Sequence, residues 1–114
     1  MDRLDPKGII EHWAARLLSD PRLSSQINGV VKIFIREPRQ SFIFECFDIP
    51  KVSEGAKVSE RETSAECEIE FDGYDLPALR AGELSYQLAY LEGRIVVRGD
   101  ALLALRFSTK ILTA

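Results

Sequence analysis

A single histidine and two cysteines in 114 residues remove most catalytic chemistry before any fold is considered. A Ser-His-Asp triad or a metal cluster of histidine and cysteine needs several such groups converging. Cys46 and Cys67 have neither ligand spacing nor a C-x-x-C arrangement. The seven glycines form no G-x-G-x-x-G or G-x-x-x-x-G-K-[ST] run, so no phosphate cradle is expected. No apolar run approaches the roughly 20 residues of a membrane span. Met1-Asp2-Arg3-Leu4 does not open a signal peptide, and Leu112-Thr113-Ala114 is no peroxisomal address. The expected location is therefore cytoplasmic. Positive charge is not in excess either: the net charge of −3 argues against nucleic acid and broad anionic membrane surfaces as partners. With no repeat, low-complexity tract or linker, residues 1–114 are expected to form one domain.

What the chain does have is an ordinary globular composition, 46% hydrophobic and 29% charged, and a legible pattern. Asp5-Pro6 is a helix start, followed by a stripe of Ile10, Trp13, Ala14 and Leu17. Asp20-Pro21 should end that helix, because a residue before proline is pushed out of the α region. His12 flanks the stripe; as a base it would need an orienting partner, and a solvated histidine is the simpler expectation.

Residues 27–36 alternate as a strand, with Ile27, Gly29, Val31, Ile33 and Ile35 on one face. Glu37-Pro38-Arg39-Gln40 reads as a turn into an antiparallel partner over residues 41–49. That strand is apolar on both faces, Phe42, Phe44 and Cys46 on one and Ile43, Phe47 and Ile49 on the other, which suits a covered strand. Residues 51–63 are the most polar stretch, either a loop or a short edge strand near residues 56–59.

Alternation returns over residues 65–71, where Cys67, Ile69 and Phe71 interleave with Glu66, Glu68 and Glu70. Three glutamates at period two are most simply the solvent face of a strand, and Arg94 and Arg98 share a parity that could pair with them. Asp75 is placed to cap one short helix ended by Gly82, Ser85 a second ended by Gly93, and Asp100 the last, after a strand over residues 94–99. In that last helix Leu102, Leu103, Leu105, Phe107, Ile111 and Leu112 go most of the way round the axis. The two cysteines sit in apolar alternations and are expected as buried thiols; a disulfide between neighbouring strands is the other arrangement, odd in a reducing compartment.

About five strands and four helices make an α+β chain with an antiparallel sheet covered on one face. The aromatics Trp13, Phe34, Phe42, Phe44, Phe47, Phe71, Tyr86 and Tyr90, with the leucine-rich last helix, are generous for this length. They either fill a core or in part line a cavity for an apolar ligand.

Three blocks in order carry a resemblance. They are the acidic–apolar strand over residues 65–72, the segment from Asp75-Leu76 through Ala81-Gly82-Glu83-Leu84, and Gly93-Arg94-Ile95-Val96-Val97-Arg98-Gly99-Asp100 leading to Ala104. Together with Ile27-Asn28-Gly29-Val30-Val31 and the first helix, they resemble the sterol carrier protein 2 (SCP2) domain family over nearly the whole chain. Residues 51–63 show no family pattern. The resemblance implies an SCP2-like fold, a five-stranded, mostly antiparallel sheet with helices covering one face and an apolar tunnel between sheet and helices. It also implies non-catalytic binding, transfer or presentation of a fatty acyl, sterol or isoprenoid lipid, with no cofactor and no catalytic residue. The expected lining from the first helix and the sheet is Trp13, Ile33, Phe42, Phe44 and Phe71. The expected lining from the later helices is Tyr86, Tyr90, Leu102, Leu103, Leu105 and Phe107, with the ligand beneath helix 101–112. The implied partners are an apolar small molecule and, for some members, a biosynthetic enzyme; transient contact with a membrane is allowed, insertion is not expected. The alternative is an accessory subunit with a filled tunnel. A small cyclase- or isomerase-type enzyme would have to work with Asp48, Tyr86 and Tyr90.

Overall fold

A computed structural model describes residues 6–36, 39–54 and 65–112. The first helix, α1 (Pro6–Leu18), buries Ile9, Ile10, Trp13 and Leu17, so the expected stripe holds with Ile9 added and Ala14 at its margin. The expected cap, Asp5, lies outside the described residues.

The helix ends before Asp20-Pro21, but the same pair begins another, α2 (Pro21–Ile27). The Asp20 carboxylate accepts hydrogen bonds from the Arg22 and Leu23 N–H groups, both at 3.1 Å, and Pro21 needs no N–H at its place in the first turn. A proline that stops one helix is also a good first residue of the next. The strand expected from Ile27 therefore starts later: Ile27 closes α2, Asn28 turns through a left-handed φ of 55°, and β1 runs Gly29–Ile35.

Four more strands follow: β2 (Gln40–Cys46), β3 (Lys51–Glu54), β4 (Cys67–Phe71) and β5 (Val96–Gly99). An edge strand occupies residues 51–54; the span near 56–59 lies outside the described residues, as do residues 37–38 of the expected turn. The order is β3-β2-β1-β4-β5. β1 and β4 run parallel and the other three neighbouring pairs antiparallel.

One face of this mixed sheet carries Val31, Ile33, Ile35, Phe42, Phe44, Cys46, Ile69 and Phe71, none more than 4% exposed. Helices cover that face. The other face carries a charge ladder. Glu68 sits opposite Arg98 at 2.7 Å, and Glu70 lies 2.7 Å from Arg98 and 2.8 Å from Arg36. The expected pairing of glutamates with arginines is therefore met by Glu68, Glu70 and Arg98. Glu66 instead accepts from the Val30 N–H at 2.9 Å, and Arg94 lies before β5 and pairs with Asp75 and Glu92.

Register also decides the cysteines. Cys46 is opposite Gly29 and Cys67 opposite Val31, on the two sides of β1. Two strand spacings alone put about 9–10 Å between them, and the two-residue offset along β1 adds to that, beyond the roughly 7 Å a disulfide can bridge. Both thiols are free and buried, and burial pushes each up to about 12.

After β4 a 3₁₀ turn (Gly73–Asp75) leads into α3 (Leu76–Ala81), α4 (Tyr86–Leu91) and α5 (Ala101–Phe107), which a wider π-type turn (Ser108–Leu112) extends. Asp75 stands at the start of α3 but makes no side-chain cap bond; Asp72 caps the preceding turn through the Tyr74 N–H. Ser85 caps α4 and Asp100 caps α5. Gly99, at φ 88°, precedes that last cap. A Cβ there would lie 2.5 Å from the Glu66 carbonyl oxygen, whose hydrogen bond with the Asp100 N–H holds the strand-to-helix corner against β4.

Candidate functional site: an apolar groove between α4 and α5

The broad apolar surface of the last helix resolves into two faces. Leu103, Ala104, Phe107 and Ile111 are buried against the sheet and α1 side of the molecule, where Phe107 meets Phe44 edge-on at 5.2 Å. Leu102 and Leu105, 68% and 57% exposed, point away from that core. They face α4 across a cavity of about 430 Å³ that Tyr86, Tyr90, Leu91, Val97 and Ala101 also line, with Ala104 and Ser108. This volume lies within the range of small-molecule sites.

The two walls are held differently. The α5 side is fastened at three points: Arg106 Nε donates to the Ile27 carbonyl at 2.9 Å, Arg16 Nε to the Lys110 carbonyl at 3.1 Å, and Lys110 Nζ to Gln26 at 3.0 Å. The Ser108 hydroxyl donates to the Ala104 carbonyl at 2.7 Å, satisfying an acceptor where the helix widens. On α4 only Ala89 is buried, while Leu88, Tyr90 and Leu91 are exposed. The Ala89 carbonyl accepts from the Arg94 and Ile95 N–H groups, which ties down the end of α4, while the Ser85 hydroxyl caps its start.

A second cavity, about 240 Å³, is lined by Trp13, Phe71, Leu79, Leu84 and Leu112. Tyr86 and Gln87 line both spaces. Burial pushes the Tyr86 hydroxyl above the usual tyrosine range.

The eleven residues expected to line a site thus fall into three groups. Tyr86, Tyr90, Leu102 and Leu105 meet at the larger cavity. Trp13 and Phe71 bound the smaller one, with their rings 5.8 Å apart. Ile33, Phe42, Phe44, Leu103 and Phe107 border neither and belong to the core cluster. Phe107 and Leu103 pack inward from helix 101–112, and the groove is lined by the outward Leu102 and Leu105. Leu91, Val97 and Ala101 were not singled out by the sequence. Leu91 follows Tyr90 directly, and a helical face pattern does not pick out neighbours.

The groove's polar groups are hydroxyls and an amide, from Tyr86, Tyr90, Ser108, Thr109 and Gln87. They can hydrogen-bond a ligand headgroup. Asp48 lies elsewhere, in a shallow depression with Asn28 and Phe47, where it accepts from the Ser25 hydroxyl; it does not join Tyr86 and Tyr90. His12 is exposed on α1. Among the described residues no group of three or more His, Cys, Asp or Glu is placed to hold a metal ion.

A profile of the SCP-2 sterol transfer family matches residues 10–111. No curated protein sequence matches this one significantly. Among solved structures, palmitated SCP2L2 from Aedes aegypti is 24% identical, with a TM-score of 0.74 over 95% of each chain. The inverting sec-alkylsulfatase Pisa1 from Pseudomonas sp. matches 97% of this chain with only 17% of its own, at 16% identity and a TM-score of 0.71. A ubiquinone synthesis protein, UbiJ-SCP2, is 18% identical over 92% of this chain and 86% of its own, with a TM-score of 0.64. These likenesses show a shared α+β fold.

Proposed function

The chain belongs to the SCP-2 sterol transfer family, and on that premise we propose that it binds one apolar small molecule in the groove between α4 and α5. A fatty acyl chain, a sterol or an isoprenoid lipid is the ligand class, carried or presented without chemical change. The observation that carries this reading is the pair Leu102 and Leu105, two outward leucines on a helix whose inward face is already satisfied, standing over an apolar cavity. The palmitated state of SCP2L2 supports an acyl chain as the first ligand to try.

Burying about a dozen methylenes at ~0.8 kcal/mol each gives roughly 10 kcal/mol. Lost freedom of the ligand offsets several kcal/mol of that, which leaves affinity around micromolar. Such affinity permits release as well as capture. Selectivity by pocket fit alone would be weak, since one methylene changes little.

Native mass spectrometry of protein purified from cells tests the proposal. Bound lipid, together with fatty acids that bind and raise the melting temperature, supports it. Protein that carries no lipid and ignores added fatty acids defeats it.

Leu88 and Leu91, 55% and 76% exposed, favour a second reading, in which α4 also docks on a biosynthetic enzyme that receives the ligand. UbiJ-SCP2, a ubiquinone synthesis protein of the same fold, is consistent with that arrangement. Co-purification of one stoichiometric enzyme, lost in Leu91→Asp, would establish it. Among the described residues no helix is long and apolar enough to cross a membrane.

A further inference from the structure

Tyr86 is shared by the linings of two cavities of different character. One is the roughly 430 Å³ groove that Leu102 and Leu105 line; the other is the roughly 240 Å³ pocket that Trp13 and Phe71 line. Gln87, the other residue common to both, is exposed, whereas Tyr86 is half-buried and packs on the core. The smaller space falls below the usual range for a ligand site on its own and the two together fall well inside it. Its far walls are apolar, so it suits the end of a hydrocarbon chain better than a headgroup.

We propose that Tyr86 sets the length of apolar chain that the protein accepts, its ring confining short ligands to the larger cavity and swinging aside to let longer ones run through to Trp13. The inference rests on the groove being the ligand site. Two features make the ring movable yet well placed when closed. It sits in the first turn of a six-residue helix that buries only Ala89, and elements with so few buried contacts open locally at low cost. Ser108 lines the same larger cavity, on the wall that Arg106 and Arg16 fasten, so the ring has a fixed wall to close against.

Trp13 is the only tryptophan and borders the smaller cavity, so the partition can be read without any ligand. Acrylamide quenching of Trp13 is compared in the native protein, Tyr86→Phe and Tyr86→Ala, with Tyr86→Leu as a less disruptive opening should the alanine variant fold poorly. Removing the ring is expected to raise the quenching constant at least twofold, and removing only the hydroxyl to change it little. An unchanged constant in the opened, folded variants overturns the partition. Dissociation constants for saturated fatty acids from decanoate to stearate then test the length role. Opening should tighten stearate about tenfold relative to decanoate. A uniform change across the series, or none, overturns the length role. If no fatty acid binds the native protein, the ligand site itself is refuted and the length role with it, while quenching still decides the partition.

Discussion

The rings of Phe107 and Phe44 meet edge-on with centroids 5.2 Å apart, which packs the last helix against β2 of the sheet. Because both are fully buried, this contact sends the free apolar surface of α5 outward, to the α4 side. Phe107→Ala should cost about 3–5 kcal/mol, read as a lower urea midpoint with an unchanged slope. A loss below about 1 kcal/mol would mean that the contact does not hold the helix down.

Leu102 and Leu105 should behave in the opposite way. Leu102→Asp and Leu105→Asp each change folding stability by no more than about 0.5 kcal/mol, since both side chains are more than half exposed. Each should weaken fatty-acid binding at least tenfold, about 1.4 kcal/mol. Unaltered affinity in a folded double variant would move the ligand site elsewhere.

Ser24 is fully buried on α2 and its hydroxyl has no hydrogen-bond partner. Ser24→Ala removes an unsatisfied polar group and places a better helix former there. An increase of about 1 kcal/mol in unfolding free energy is expected; a decrease would imply that the hydroxyl is satisfied after all.

Glu70 receives Arg36 and Arg98, and the hydrogen bond from Arg36 is the main reason its carboxyl is held below the usual range, against a smaller opposing effect of burial. A lowered carboxyl contributes stability that is present above the unfolded-state value of about 4.3 and lost as pH falls through the folded-state value. Glu70→Gln should therefore be about 1 kcal/mol less stable at neutral pH. The gap should close as pH drops below about 4. A gap independent of pH would point to shape rather than charge.

Gly99 has a positive φ, and the Glu66 backbone lies against the place a side chain would take. Gly99→Ala should cost about 2–4 kcal/mol in thermal unfolding. Gly93→Ala, also at positive φ but with open space around it, should cost less.

The sequence by itself determined the type and order of most elements, the inward faces of the strands, the caps at Ser85 and Asp100, and the family resemblance. These are local properties, set by period-two and period-3.6 patterning and by residues that satisfy helix ends. Asp20-Pro21 was only half legible, because a proline marks a boundary without saying whether another helix follows. Tertiary structure alone decided that β1 lies between the two cysteines, that Arg94 leaves the glutamate ladder, and that Tyr86 borders two cavities. Above all it decided which leucines of the last helix are core and which are groove. Leu102, Leu103 and Leu105 are the same residue to any composition or hydropathy count. Only the helix phase relative to the sheet, fixed by Phe107 against Phe44, turns Leu103 inward and leaves Leu102 and Leu105 facing α4.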